Sequence, residues 1–323
     1  MAAGPGDDES ETLTPDEAFS ALGNAIRMDI LRSLAEADSP LSFSELKRET
    51  DVSDPGQFHY HLDQLVGHFV SQTEAGYRLN RPGNRMIEAV LSGAVTEAPV
   101  IERTPLDREC PLCANRPIEI EYREEQLGVY CTACEGLYGG DEESTTATLP
   151  ADRQRLHYAH LPPAGLAGRS LDEVLIAATT WTVSEGLMVA TGICPSCSAR
   201  LESTTEICES HEGSQGLCPS CNRRYSMLYQ AECTNCIFDV AIVYGVTLLA
   251  NPQFRRFLID HGLDPLRPES VKFGRVINRY KEDIKSLDPL EATFTFTLED
   301  ETIRLTVDDD HSIVDVNRTG KIE

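Results

Sequence analysis

Lysine is nearly absent from this 323-residue chain: five lysines stand against 23 arginines. There is a single tryptophan, and no apolar run reaches the ~18 residues that a membrane-spanning helix needs. The signatures of common catalytic sites are missing too. There is no P-loop, no dinucleotide-binding glycine fingerprint, no H-E-x-x-H and no G-x-S-x-G nucleophile elbow. These absences argue against a membrane protein and against an enzyme. The opening residues, MAAGPGDDESETL, lack an apolar segment and read as a disordered acidic tail over 1–13 rather than a secretory signal. The expected compartment is the cytoplasm.

Negative charge is abundant: 53 Asp and Glu against 28 Lys and Arg, a net charge of −25. An ordinary acidic cytoplasmic protein has this character. The scarcity of lysine fits better with a protein that works in concentrated salt, where self-repulsion is screened and hydrated carboxylates maintain solubility. Such acidity does not exclude a nucleic-acid partner. At molar salt the Debye length is about 3 Å, so only charges near the contact matter, and counterion release weakens as a driving force. The length is enough for two or three domains.

Residues 14–93 carry dense helix punctuation. Thr14-Pro15-Asp16-Glu17 is a capping box with Pro at the first helical position, and Ser42-x-x-Glu45 is a second box. Asn24 opens a helix with Ile26, Ile30, Leu31 and Leu34 at helical spacing, and Asp54-Pro55-Gly56-Gln57 opens another with Phe58, Leu62, Leu65 and Val66 on its apolar stripe. Two short strands, 69–72 and 77–79, flank Glu74-Ala75-Gly76, and a last helix carries Met86, Ile87, Val90 and Leu91. Four helices, a hairpin and a helix follow the winged-helix plan. On the Asp54 helix, Gln57, His59, Tyr60, Asp63 and Gln64 lie opposite the apolar stripe. A glutamine there can hydrogen-bond an adenine edge in bidentate fashion. Ser53 and Tyr60 could reach phosphates, and Gly56 leaves room for close backbone approach. Arg78, Arg81 and Arg85 flank the hairpin with no acid between them and form the expected phosphate-contacting patch. His61 and His68 are expected to pack or to face solvent.

The stretch from ALGNAIRMDILRSL through QFHYHL to VGHFV resembles the ArsR-type winged helix-turn-helix family, and more narrowly the version common in salt-loving archaea. The match covers about a quarter of the chain. The resemblance implies a homodimer, packed through the first and last helices of the domain, that binds near-palindromic double-stranded DNA. One departure matters. Metal-sensing members place cysteines in the helix before the recognition helix, and here that segment, Ser44 to Thr50, has neither Cys nor His. A metal-sensing role is therefore not carried over.

Eleven cysteines are present, ten of them in five C-x-x-C pairs. In a reducing compartment such pairs bind metal. Cys110/Cys113 and Cys131/Cys134 have zinc-ribbon spacing. The second cluster holds Cys194/Cys197, Cys208, Cys218/Cys221 and Cys233/Cys236, an awkward seven for tetrahedral sites. His211, in Cys208-x-x-His211, supplies the missing donor. The preferred pairing nests a Cys208/His211/Cys218/Cys221 site inside a Cys194/Cys197/Cys233/Cys236 ribbon. A cross-braced alternative joins Cys194/Cys197 to Cys218/Cys221. Two or three structural Zn2+ ions per chain are expected, with iron as the rival metal.

The sequence thus predicts an α+β multidomain chain: winged helix-turn-helix at 14–93, linker at 94–109, zinc ribbon at 110–140, linker at 141–169, and a C-terminal domain at 170–323. That last domain would hold a helix, the two-site zinc cluster at 193–237, and a helix followed by an antiparallel β-meander. The functional expectation is a sequence-specific, DNA-binding transcriptional regulator, with a zinc-stabilised protein–protein adaptor of the transcription machinery as the alternative. The C-terminal half could also sense a small molecule, with Trp181, Phe254 and Phe257 lining a pocket; the plainer role of those residues is core packing.

Overall fold

In the computed structural model, which describes residues 13–139, 155–212, 216–268 and 271–320, each of the first four helices starts behind the polar residue that the sequence marks for it. The chain divides into two units, Met1–Glu97 and Ala98–Glu323. Apart from Leu13, the expected acidic tail lies outside the described residues.

In the first unit, α1 (Pro15–Leu22) is closed by the Thr14/Glu17 box, and α2 (Ala25–Glu36) by Asn24, whose side chain accepts from the Arg27 N–H at 3.3 Å. Ser42 and Glu45 form the box of α3 (Phe43–Glu49), and Asp54 caps α4 (Pro55–Asp63) by accepting from the Gly56 N–H at 2.8 Å. Each cap satisfies a backbone donor that the helix itself leaves orphaned. Strands β1 (Val70–Thr73) and β2 (Gly76–Leu79) pair antiparallel, and α5 (Arg81–Leu91) follows behind the Asn80 cap with Pro82 in its first turn. Helix α2 is the hub and packs on α1, α3, α4, α5 and β2. Its Ile30 and Leu31 are fully buried with Leu46, Phe58, Leu62 and Leu65. At Gly83 a Cβ would lie 2.1 Å from the Phe69 carbonyl oxygen, so only glycine lets α5 approach that backbone.

The second unit is built on three antiparallel sheets around one core. The first has the order β3 (Ile101–Leu106), β4 (Ile118–Arg123), β5 (Gln126–Cys131), β6 (Arg155–His160). Helix α6 (Leu171–Ala190) follows, closed by a Ser170/Glu173 box. The second sheet is β7 (Leu201–Ile207), β8 (Met227–Cys233), β9 (Asp239–Val243). After α7 (Pro252–Asp260) and α8 (Val271–Asn278), a four-stranded meander closes the unit: β10 (Lys281–Leu287), β11 (Leu290–Leu298), β12 (Glu301–Val307) and β13 (Ile313–Thr319). Ala292, Phe294 and Phe296 alternate inward on β11, and Leu305 and Val307 on β12, each with no exposure.

The structure corrects the segmentation. The 94–109 stretch contains strand β3, and the 141–169 stretch contains β6, so the β4–β5 hairpin of the first cysteine module is the middle of a four-stranded sheet, not a free-standing ribbon. Pro105 disguised β3; it is tolerated because β3 is an edge strand, where a missing N–H breaks no inner ladder. Residues 140–154 of the second stretch lie outside the described residues. The pocket expectation is corrected as well. Phe254 and Phe257 are wholly buried, with Phe254 against Phe296 at 4.2 Å between ring centroids, while Trp181 is 46% exposed.

Candidate metal centres and the exposed face of the N-terminal unit

Four donors on a zinc ion at about 2.3 Å place neighbouring sulfurs about 3.8 Å apart. The twelve predicted ligands assemble into three such sets: Cys110/Cys113/Cys131/Cys134, Cys194/Cys197/Cys233/Cys236 and Cys208/His211/Cys218/Cys221, each with its ligand atoms within 4.8 Å of one another. Cross-knuckle Sγ–Sγ distances are 3.7 Å for Cys110–Cys134, 3.5 Å for Cys113–Cys131, 3.7 Å for Cys194–Cys236 and 3.4 Å for Cys197–Cys233. These are far too long for disulfides, whose sulfurs lie ~2.05 Å apart, and they suit the edges of a metal tetrahedron. Each set could hold a metal ion. The nested pairing is the observed one, because β7 and β8 pair with Leu201 opposite Cys233. That register carries Cys233/Cys236 to Cys194/Cys197 and leaves 208–221 as an insertion.

The knuckles share one backbone design. In four of them the first cysteine's N–H donates to the carbonyl five residues on, Cys110 to Asn115, Cys194 to Ala199, Cys218 to Arg223 and Cys233 to Phe238, each at 2.9 Å. In the first three the residue after the second cysteine is left-handed: Ala114, Ser198 and Asn222 have φ of 64°, 64° and 54°. The turn also aims N–H groups at sulfur, as from Ala133 and Cys134 to Cys131 Sγ at 3.3 and 3.2 Å and from Asn235 and Cys236 to Cys233 Sγ at 3.4 Å. Such donors favour the thiolate, the ligand form. Hydrogen bonding from Cys110 brings the Cys134 thiol down to about 5, and the Cys236 N–H helps bring Cys233 down to about 6.

His211 is oriented for ligation. Its Nε2 lies 3.2 Å from the Arg224 carbonyl oxygen, which can only accept, so Nε2 carries the proton and the Nδ1 lone pair faces Cys221 Sγ at 3.4 Å. The insertion is tied to the first cysteine module by backbone bonds from Gly139 N to Asn222 O at 2.7 Å and from Arg224 N to Leu137 O at 3.0 Å.

In the N-terminal unit α4 has two chemically distinct faces. Phe58, His61 and Leu62 are buried, and Ser53, Gly56, Gln57, His59, Tyr60 and Gln64 are exposed. Tyr60 is 58% exposed, unusual for a tyrosine without an external role. His59 lies 3.5 Å from Asp63, one turn on. His61 sits 3.5 Å from Arg27, and desolvation followed by that guanidinium holds its pKa below the usual histidine range. Arg78, Arg81 and Arg85 are exposed and have no ion-pair partner among the described residues. Among the described residues no helix is long and apolar enough to cross a membrane.

Sequence reasoning missed one feature, a cavity within the second unit that gathers Arg155, His157 and Arg223. No spacing marks it, because its polar residues come singly from separate elements.

A family model described as a domain of unknown function (DUF7347) matches residues 15–90, which span α1 to α5. No curated protein and no solved structure matches the chain. A second model, a domain of unknown function (DUF7351), matches residues 107–313 and encloses all twelve ligand residues. That is more than half of the sequence, and the chain belongs to the DUF7351 family.

Proposed function

We propose that this chain is a sequence-specific DNA-binding transcriptional regulator, with residues 14–93 an ArsR-like winged helix-turn-helix and the three cysteine clusters structural zinc sites. The two-faced α4 carries the reading: its apolar face is used up in the core, while Gln57, His59, Tyr60 and Gln64 are exposed at the surface. A helix with one anchored face and one short polar face has the form that enters a major groove. Gln57 reads an adenine edge, Tyr60 and Ser53 reach the phosphates, and Arg78, Arg81 and Arg85 add sequence-independent phosphate contacts. The chain acts as a homodimer on near-palindromic sites. The zinc reading rests on the donor sets, two of four thiols and one of three thiols with an imidazole. Four protein ligands close a tetrahedral site, so the metal is scaffolding and performs no catalysis.

A second reading, a zinc-stabilised adaptor that binds other proteins, draws on Ile237. It is fully exposed beside Cys236, with Ile193 43% exposed beside Cys194 of the same cluster. The two are separated by incubating the protein with genomic fragments in molar KCl and sequencing what is retained. A regulator enriches a defined sequence, Gln57→Ala relaxes the preference at one base, and Arg78→Ala weakens binding to every sequence. Retention without sequence enrichment, for the wild type and for the chain lacking residues 98–323 alike, overturns the regulator.

A further inference from the structure

A cavity of about 800 Å³ lies inside the second unit, between the β5–β6 edge of the first sheet, helix α6, strand β9 and helix α8. That is the size of sites that enclose small organic molecules. Its walls are largely apolar, with Val129, Leu175, Val183 and Leu228 among them. Set into these walls is an unusual concentration of unsatisfied polarity. Among the described residues, nine buried side-chain polar atoms have no hydrogen-bond partner, and six of them belong to residues lining this one cavity: Gln126 Oε1, Arg155 Nε, His157 Nε2, Thr182 Oγ1 and both Nε and Nη2 of Arg223. A buried polar group without a partner destabilises the fold, so such a cluster points to an absent partner.

The charge of that partner follows from the two arginines. Arg155 is already used on one side, where Nη1 donates to the Tyr158 hydroxyl at 3.1 Å, and Arg223 Nη1 pairs with Glu206 at 2.7 Å. Their remaining N–H groups can only donate. Of the carboxylates in the lining, Glu109 is paired with Arg116 and Arg275 at 3.2 and 2.7 Å, Glu185 lies 3.9 Å from His160 with burial raising its pKa, and Asp239 stands exposed at the start of β9. Burial likewise holds His157 down to about 4, so its ring is a neutral donor or acceptor at neutral pH.

Gly186 supplies an independent observation. It stands inside the 20-residue helix α6, where glycine is the poorest choice short of proline. Its φ is ordinary, so no backbone need explains it, and a Cβ built there would meet nothing within 4 Å. The residue lines the cavity, and the missing side chain keeps that volume open.

We propose that this cavity is a binding site for a small organic acid, with the carboxylate held by Arg155 and Arg223 and the apolar body laid along α6 beside Gly186. All of these residues lie in Ala98–Glu323, so the site stands whether or not the N-terminal unit reads DNA.

The test is calorimetric titration of the full, metal-loaded chain with decanoate, and with decanol and sulfate as probes that keep only one half of the chemistry. Saturable one-to-one binding of decanoate is expected, with decanol at least tenfold weaker and sulfate silent. Arg155→Gln and Arg223→Gln should each weaken decanoate tenfold or more. Gly186→Leu, whose Cβ meets nothing within 4 Å and whose side chain would occupy the cavity, should abolish binding while metal content and circular dichroism stay unchanged, and it decides the matter if an arginine variant fails to fold. No binding of decanoate, equal binding of decanol, binding of sulfate alone, or unchanged affinity in Gly186→Leu would each overturn the site.

Discussion

The two units solve the same problem, fixing a chain with a large negative charge, by different means. Residues before 98 contain no cysteine and rely on one compact apolar cluster centred on α2, with every helix start held by a polar cap. Residues after 98 hold all eleven cysteines and arrange them, together with His211, as three four-ligand sets at the ends of their sheets. The segment from Cys208 to Arg224 buries only Cys218 among its described residues, so it has almost no core of its own. A metal site can contribute roughly 10 kcal/mol or more to folding such a module, where apolar burial offers about 1.5–3 kcal/mol per large side chain. The comparison teaches that the two units should respond to different insults.

Metal removal is the sharpest way to break the comparison and carries the largest expected effect. Chelation at neutral pH should abolish amide protection over the cysteine-bearing sheets while leaving α2 and α4 protected, as read by hydrogen exchange. Metal analysis should give three ions per chain, and His211→Ala should lower the count to two; an unchanged count removes His211 from the ligand set. The converse insult is Phe58→Ala. It empties a fully buried position at the α2–α4 contact and should cost about 3–5 kcal/mol in urea unfolding, with the metal count intact.

Acid offers a third separation. Burial holds the folded pKa of His157 at about 4, below the ordinary value of 6.5. The unfolded chain then binds more protons than the folded one in that interval, so the stability this histidine contributes is full above pH 6.5 and is lost as the pH falls towards 4. Melting of the second unit at a series of pH values should show the decline, and His157→Gln should flatten it; a slope that persists in the variant assigns it to metal release alone. Next in size is the DNA face, where Gln57→Ala should cost about 1–3 kcal/mol of discrimination at one base pair, measured by competition between operator variants. The smallest effect belongs to Ser42→Ala. It opens the α3 capping box and should cost about 1 kcal/mol, confined to the first unit's unfolding transition.

How much was legible varied with the range of the cause. The boxes at Thr14 and Ser42 and the caps at Asn24 and Asp54 act within three residues, and all four helices begin where the sequence marks them. All twelve candidate metal ligands were legible because C-x-x-C spacing, or C-x-x-H at Cys208 and His211, is itself the knuckle. Three edge strands of the second unit were not. β3 contains Pro105, β6 starts at Arg155, and β10 reads Lys-Glu-Asp-Ile-Lys-Ser-Leu, so none shows the alternation of a strand buried on one face. Edge strands need only one paired neighbour and tolerate charge and proline, which erases the pattern.

By itself the sequence determined where helices start, which residues can ligate metal, and which face of α4 is apolar, since each depends on neighbours a few positions apart. Tertiary structure alone decided three other things. The β7–β8 register chose the nested cysteine pairing over the cross-braced one, because identical knuckles carry no address until a strand places them. Pairing of β3 and β6 merged the expected ribbon and linkers into a larger unit with a shared core. And the packing of α6 against β6, across a cavity from β9 and α8, gathered Arg155, His157, Thr182 and Arg223 around one space, a grouping of residues up to about seventy positions apart that only long-range packing brings into reach of one ligand.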